Sequence, residues 1–248
     1  MSNQCGNRQE TIENLQLNGF KLIQKSHGFR FGMDAVLLAD FAAVRPNDVV
    51  ADLGTGTGIL PVLLAGRGKG SFYHAIEIQK DLCAITERNY SLNHIRGQIL
   101  CRDLSTDFHL LPDRSIDYIV CNPPYGEPNA SIQSPDQTRA LAKTQKEGTL
   151  DGFLQNAFQL LKGRGKISLI YPASSMLSLM LSLKQHHLEP KRFRLIYPTA
   201  TKPANLVLVE AVKDAKPALH PMPPLIIRNE DGDLTNELKS IYHINEQK

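Results

Sequence analysis

Four consecutive residues, Asn122-Pro123-Pro124-Tyr125, bring together what a planar NH₂ group needs in order to react. The lone pair of an adenine amine or a glutamine amide is delocalised into its π-system, which makes the nitrogen a poor nucleophile. If the Asn122 side-chain oxygen and the Pro123 carbonyl both accept hydrogen bonds from the NH₂, they favour a pyramidal nitrogen as positive charge develops in the transition state. The two prolines fix the turn and bring no N–H to compete for those acceptors, while Tyr125 can stack on a flat substrate. The bland alternative is a strand exit into a proline-bounded loop with an incidental asparagine.

A second cluster lies upstream. The run Val49-Val50-Ala51-Asp52-Leu53 leads straight into Gly54-Thr55-Gly56-Thr57-Gly58 and then into a helical pattern. Glycines let backbone approach a ligand closely, and a helix N-terminus offers unpaired N–H groups and a field favourable to an anion. A dinucleotide fingerprint requires glycine where Ile59 stands, so a carboxylate is expected there rather than a pyrophosphate. Glu77, about 20 residues past the glycine turn, stands where an acidic side chain accepts hydrogen bonds from a ribose diol. Asp103 follows the next strand. Asp52 with Gly54, Thr55, Gly56 and Gly58, then Glu77 with Ile78, then Asp103 with Leu104, thus occupy three successive strand ends. Together they could hold the amino acid part, the ribose and the adenine amine of one molecule, for which S-adenosylmethionine fits better than NAD. Asn122 is counted with this cofactor set as well as with the reaction site. Taken singly, each signal has a structural rival: a tight turn, a solvated strand end, a helix cap.

The elements that must carry these residues follow from periodicity. Strand-like runs at 49–53, 71–78, 98–101, 116–121 and 166–171 alternate with helical runs at about 58–65, 80–92 and 150–161. Runs at 193–197 and 206–211 are expected to close the sheet with an antiparallel edge. The whole predicts an α/β fold with a mostly parallel seven-stranded sheet, helices on both faces, and ligand sites at the carboxyl ends of the strands. Before it, 15–17 and 20–23 read as a small N-terminal hairpin around Asn18-Gly19, and a helix begins near Asp34, its expected N-cap. The proline-rich stretch 213–224 reads as a linker to a strand and helix over 225–242. The expected division is 1–45 as a hairpin and helix capping the cofactor site, 46–212 as the core, and 213–248 as an appendage.

Composition narrows the class. With 42% hydrophobic and 21% charged residues the chain reads as a soluble globular protein, and its net charge of +3 is too small by itself to identify a nucleic-acid binder. No apolar run approaches the length of a membrane span and the N-terminal segment lacks a signal-peptide core, so a cytoplasmic location is expected. The spacing of the eight histidines and four cysteines suggests no metal site, and the thiols are expected to be reduced and mostly buried. His186 and His187 are expected to mark a helix end, and Ser174 and Ser175, with no motif around them, to be structural.

The Asp-Leu-Gly-Thr-Gly-Thr-Gly and Asn-Pro-Pro-Tyr motifs resemble those of class I S-adenosylmethionine-dependent methyltransferases, over about 49–211. The resemblance implies a Rossmann-like fold. The segment 28–38 resembles the one preceding the cofactor strand in bacterial tRNA adenine-N6 methyltransferases, those acting on the adenine beside the anticodon of valine tRNA. There this segment caps the cofactor, which implies Phe31 and Asp34 as ligands. The stretches 197–205 and 223–224 resemble the Gram-positive branch of that family. The implied partner is tRNA, with Tyr125, Arg139, Lys143, Lys202 and Asn205 as substrate contacts; Arg139 and Lys143 lie in a polar stretch, 126–148, long enough to be a lid. The rivals are a release-factor type glutamine N5-methyltransferase, whose NH₂ has the same geometry, a DNA adenine methyltransferase, and a module that binds RNA or S-adenosylmethionine without turnover.

Overall fold

The computed structural model describes residues 10–26, 32–107, 109–123 and 149–244. Strands β3 (Val49–Leu53), β4 (Phe72–Glu77), β5 (Gly97–Cys101), β6 (Ile116–Cys121) and β7 (Leu161–Pro172) pair in parallel with one another. β9 (Leu206–Lys213) runs antiparallel between β7 and β8 (Leu188–Thr199), giving the order β8-β9-β7-β6-β3-β4-β5 for the seven expected strands. Two short strands, β10 (His220–Pro221) and β11 (Leu225–Arg228), pair in parallel with β8, so the full sheet has nine strands. Part of the proline-rich stretch therefore covers a sheet edge.

Alternation along each strand sends side chains to opposite faces. On one side Val50, Tyr118, Val120, Ile170 and Leu208 pack with α1 (Met33–Phe41) and α2 (Ile59–Gly66). On the other, Ala51, Leu53, Ile119, Cys121, Leu169 and Val209 pack with α4 (Thr149–Leu160) and α5 (Met176–Gln185). α3 (Lys80–Leu92) follows β4, and α6 (Asn236–Ile241), capped by the Thr235 hydroxyl, follows β11. His186 is the C-cap of α5, as expected of a residue marking a helix end. Cys83 and Cys121 are buried and Cys101 half-buried, all three as free thiols.

The N-terminal hairpin differs in register from the expectation. Asn18 and Gly19 have φ of 49° and 79°, and Phe20 N–H donates to Leu17 O at 2.8 Å, so the Asn-Gly turn forms. Gln16, however, also has a positive φ of 53°, which takes residues 15–17 out of the ladder. The paired strands are β1 (Glu10–Asn14) and β2 (Lys21–Lys25), which form a separate two-stranded sheet. Leu17 is buried instead against Gly66 at the end of α2, where an added Cβ would lie 2.6 Å from its Cδ2.

Helix α1 departs from expectation at its start: Gly32 is the N-cap and Asp34 sits inside the first turn, where a carboxylate still complements the helix field. Its other end is clamped to the sheet. The Tyr118 hydroxyl accepts from Ala43 N–H at 3.0 Å and donates to Glu210 Oε2 at 2.7 Å, while Arg192 bridges Glu210 and the Phe41 carbonyl at 3.0 and 2.8 Å. Burial pushes the Glu210 carboxyl up, but its bonds to Arg192 and Tyr118 outweigh this and hold it below the usual carboxylate range. The clamp fixes the helix whose first turn carries Asp34.

Candidate functional site

Sheet register brings the motif residues to one level. Leu100, Ile76, Leu53, Cys121 and Leu169 are lateral partners across β5, β4, β3, β6 and β7. The next residue on each of the three central strands is Glu77, Gly54 and Asn122. With strands about 4.8 Å apart, Glu77 and Asn122 stand roughly 10 Å from each other with the glycine loop between them. That is the span of one extended small molecule.

The glycine loop is shaped by its own backbone. Gly54, Gly56 and Gly58 all have positive φ, at 77°, 60° and 80°, a region where a side chain would be strained. The Gly54 and Thr55 amides share the Ile76 carbonyl at 2.9 and 3.0 Å, and Gly56 N–H donates to Glu77 Oε2 at 3.0 Å. These three N–H groups therefore serve the fold, and the N-terminus of α2, with Gly58 as its N-cap, begins just beyond them. Among the described residues, an added Cβ at Gly56 would meet nothing within 4 Å, so room for a ligand lies there.

Asp52 is the most unusual group in the site. It is 1% exposed; Oδ2 accepts from the Thr55 hydroxyl at 2.6 Å, whereas Oδ1 is buried with no hydrogen-bond partner among the described residues. An orphaned carboxylate oxygen is costly unless something cationic completes it. Burial pushes this carboxyl up to about 7; the Thr55 hydrogen bond opposes the shift and the nearby Glu77 charge adds to it. Glu77 itself, 6% exposed, accepts from Gly56 N–H and, at 2.9 Å, from Gln79 N–H. Ile78 beside it is 50% exposed, an apolar wall suited to a flat ring.

Asp103 caps its own turn through one of its two carboxylate oxygens. Its Oδ1 accepts from both Ser105 N–H and Ser105 Oγ, at 2.8 and 2.7 Å, so it caps the turn over 103–107. Leu104 is buried, and its carbonyl accepts from Asn156 at 2.9 Å. Both residues support the edge beside Ile78. Asn122 is half-buried and Pro123 buried just past β6. Lys202 and Asn205 are exposed in the β8–β9 connection at the same edge of the sheet. There Pro172, Leu206 and Ile196 are lateral partners, three residues beyond Leu169, so this connection rises as a rim past the Asn122 level. Asp34 acts on the Tyr242 phenol, which is pushed up by burial and then by the Asp34 charge. Phe31, Pro124, Tyr125, Arg139 and Lys143 lie outside the described residues.

Periodicity alone missed the support beneath the loop. Thr86 and Asn89, polar residues three apart on the buried face of α3, bond to the Gly56 and Thr57 carbonyls at 3.0 and 2.8 Å. Their position among the apolar residues of α3 was the available signal.

A doubly wound sheet closed by one antiparallel strand, with a glycine loop after β3 and Asn-Pro after β6, defines a Rossmann-like methyltransferase fold. Residues 33–186 match the family model of the methyltransferase small domain, and the chain belongs to this family. It is 30% identical to the tRNA1(Val) (adenine(37)-N6)-methyltransferase of Parabacteroides distasonis, over 82% of this chain and 85% of that one. The protein of the same name from Photobacterium profundum is 29% identical over 74% and 77%. Among solved structures, a predicted O-methyltransferase from Agrobacterium tumefaciens superposes with a TM-score of 0.68 at 22% identity, covering 85% of this chain and 96% of that one. TYW2 of M. jannaschii, in complex with AdoMet, superposes with a TM-score of 0.55 at 16% identity, covering 84% and 86%. These two share the fold. Among the described residues no helix is long and apolar enough to cross a membrane, and no group of three or more His, Cys, Asp or Glu could hold a metal.

Proposed function

We propose that this chain transfers a methyl group from S-adenosylmethionine to N6 of an adenine in tRNA, with the adenine beside the anticodon of valine tRNA as the favoured target. The observation that carries the chemistry is the level register of Glu77, Gly54 and Asn122 at the ends of β4, β3 and β6. The tRNA assignment is supported by relatives that bear that name over most of their length.

The residues present fit the cofactor. Asp52 Oδ1, buried with no hydrogen-bond partner among the described residues, would receive an α-ammonium, the space at Gly56 would admit the chain beside it, and the Glu77 carboxylate would accept from a ribose diol. When bound, the sulfonium supplies an electrophilic methyl group. Asn122 and Pro123 then accept from the substrate NH₂ and turn its lone pair toward that carbon. None of this chain's residues has to act as a strong base, because the alkylated nitrogen is acidic enough to release its proton to water. Lys202 and Asn205, on the rim, meet the RNA.

Replacing Glu77 by alanine removes the diol acceptor and the anchor of Gly56. A lost charged hydrogen bond is worth about 1.5–3 kcal/mol, so cofactor Kd is expected to rise about 10- to 100-fold by calorimetry, with a smaller effect on kcat. An unchanged Kd removes Glu77 from the ribose site. To test the substrate, purified protein is given labelled S-adenosylmethionine with tRNA, duplex DNA or release factor. Label is expected in tRNA as N6-methyladenine, and the same nucleoside should vanish from the tRNA of a deletion strain. Label on a glutamine of the release factor instead would refute the RNA assignment while leaving the NH₂ chemistry.

A further inference from the structure

Helix α3 turns one polar face toward two separate parts of the molecule. The Asn89 amide donates to the Thr57 carbonyl in the glycine loop at 2.8 Å. The same side chain clamps Ile23 of the N-terminal hairpin, donating to its carbonyl at 2.9 Å and accepting from its N–H at 2.7 Å. One turn on, Asn93 repeats the clamp on Lys21 at 2.7 and 2.8 Å, but its remaining bond, at 2.8 Å, goes to the Asn89 carbonyl within the helix. Lys21 and Ile23 are alternate residues of β2, so their main-chain groups point to the same edge of the hairpin, where a further strand would pair. Two side-chain amides at i and i+4 take that strand's place.

The rest of the interface holds the two parts in register. Ile23 packs on Leu82 and Ile85, Arg88 forms a two-point ion pair with Glu10 at 2.8 and 2.9 Å, and Lys25 pairs with Asp81. Beneath the loop, an added Cβ at Gly58 would lie 2.8 Å from Thr86 Cγ2, so α3 is pressed directly against it. Asn89 is fully buried. Removing its side chain would strand three buried main-chain groups on two segments.

We infer that Asn89 is a positioning residue for cofactor binding: one amide makes docking of the hairpin and the ligand-ready shape of the glycine loop a single state. The inference rests on the reading of 52–58 as the cofactor loop. A loop with three positive-φ residues that is no longer held from below samples other shapes, and apparent affinity falls with the fraction that is competent. Asn122 lies on a different strand, so the chemical step is untouched. The coupling is reciprocal: ligand that selects the competent loop must also tighten the hairpin.

Calorimetry with S-adenosylhomocysteine and steady-state methyl transfer test this. Asn89→Ala is expected to raise Kd and cofactor KM about 10- to 100-fold with kcat at saturation within about twofold, while Asn93→Ala raises Kd no more than about threefold. Wild-type Kd in Asn89→Ala, an equal loss in Asn93→Ala, or a matching fall in kcat each overturns the inference. If Asn89→Ala does not fold, hydrogen exchange on the wild-type chain decides. S-Adenosylhomocysteine should slow exchange of the amides in 10–25 about tenfold or more, and unchanged exchange overturns the coupling. Failure of the wild-type chain to bind S-adenosylhomocysteine at all would instead sink the cofactor reading.

Discussion

Asn122→Ala is expected to lower kcat by about 100- to 1000-fold, the range seen when one group aimed at transition-state charge is removed, and to leave cofactor Kd within about threefold. The separation of the two effects follows from what the side chain is asked to do. An amine conjugated to a purine has little positive charge in the ground state, so an acceptor oxygen beside it adds little to binding. As the nitrogen rehybridises and is alkylated, its N–H groups become strongly polarised, and the same oxygen then stabilises them. The cofactor contacts proposed for Asp52, Gly56 and Glu77 lie at the ends of β3 and β4, one and two strands from β6. Asn122→Asp keeps an acceptor at the same place and is expected to retain more rate than alanine. Single-turnover transfer to tRNA measures the chemical step, and calorimetry measures Kd. If Kd worsens in step with the rate, Asn122 holds the donor rather than the acceptor nitrogen, and its assignment fails.

How far such a site can be read from sequence depends on what decides each residue's partner. The alternation from β3 to β7 was legible because parallel strands buried on both faces are short apolar runs separated by helical periods, and α3 falls on 80–92 as that period predicts. The motif ends of β3, β4 and β6 were legible for the same reason: in a doubly wound sheet, order along the chain fixes which ends share an edge. Asp103 was legible only as a strand-end carboxylate: Ser105 takes Oδ1 in a turn cap, which leaves the second oxygen for a ligand and decides nothing between the two roles. β10 escaped, and β11, expected as the strand of the appendage, was not placed in the main sheet, because their pairing with β8 is parallel and non-local, with no turn signal to announce it. The Asn-Gly turn was right, yet the register beyond it was not, since Gln16 adopts a left-handed φ that few propensities foresee. Asn89 was hidden by the habit of reading a helix only for its apolar stripe.

Asp52→Asn is expected to do two opposite things, stabilising the ligand-free fold and destroying cofactor binding. The unfolded chain loses this proton near 3.8, whereas burial in the folded state raises the value to about 7. Between those values the folded state holds a proton that the unfolded state has released, so stability falls as pH rises through the window. Above about 7 the deficit is complete, on the order of 2–4 kcal/mol for a shift of this size. Asparagine has the same shape without the charge, so at pH 8 the ligand-free variant should melt about 5 °C or more above wild type, and the gap should close below about pH 4. Binding moves the other way. An ammonium seated on Oδ1 requires the ionised form, so wild-type Kd for S-adenosylmethionine should worsen by up to about tenfold per unit as pH falls below about 7, with release of a proton near neutrality. The variant should bind about 30- to 1000-fold more weakly at pH 8, the cost of leaving a charged ligand group without its partner, and with no such pH dependence. Calorimetry from pH 6 to 8.5 in buffers of differing ionisation enthalpy reads both the affinity and the proton. A flat wild-type profile, or an asparagine variant that binds as tightly, would mean that Oδ1 does not meet the cofactor and that the tension built into this one carboxylate serves something else.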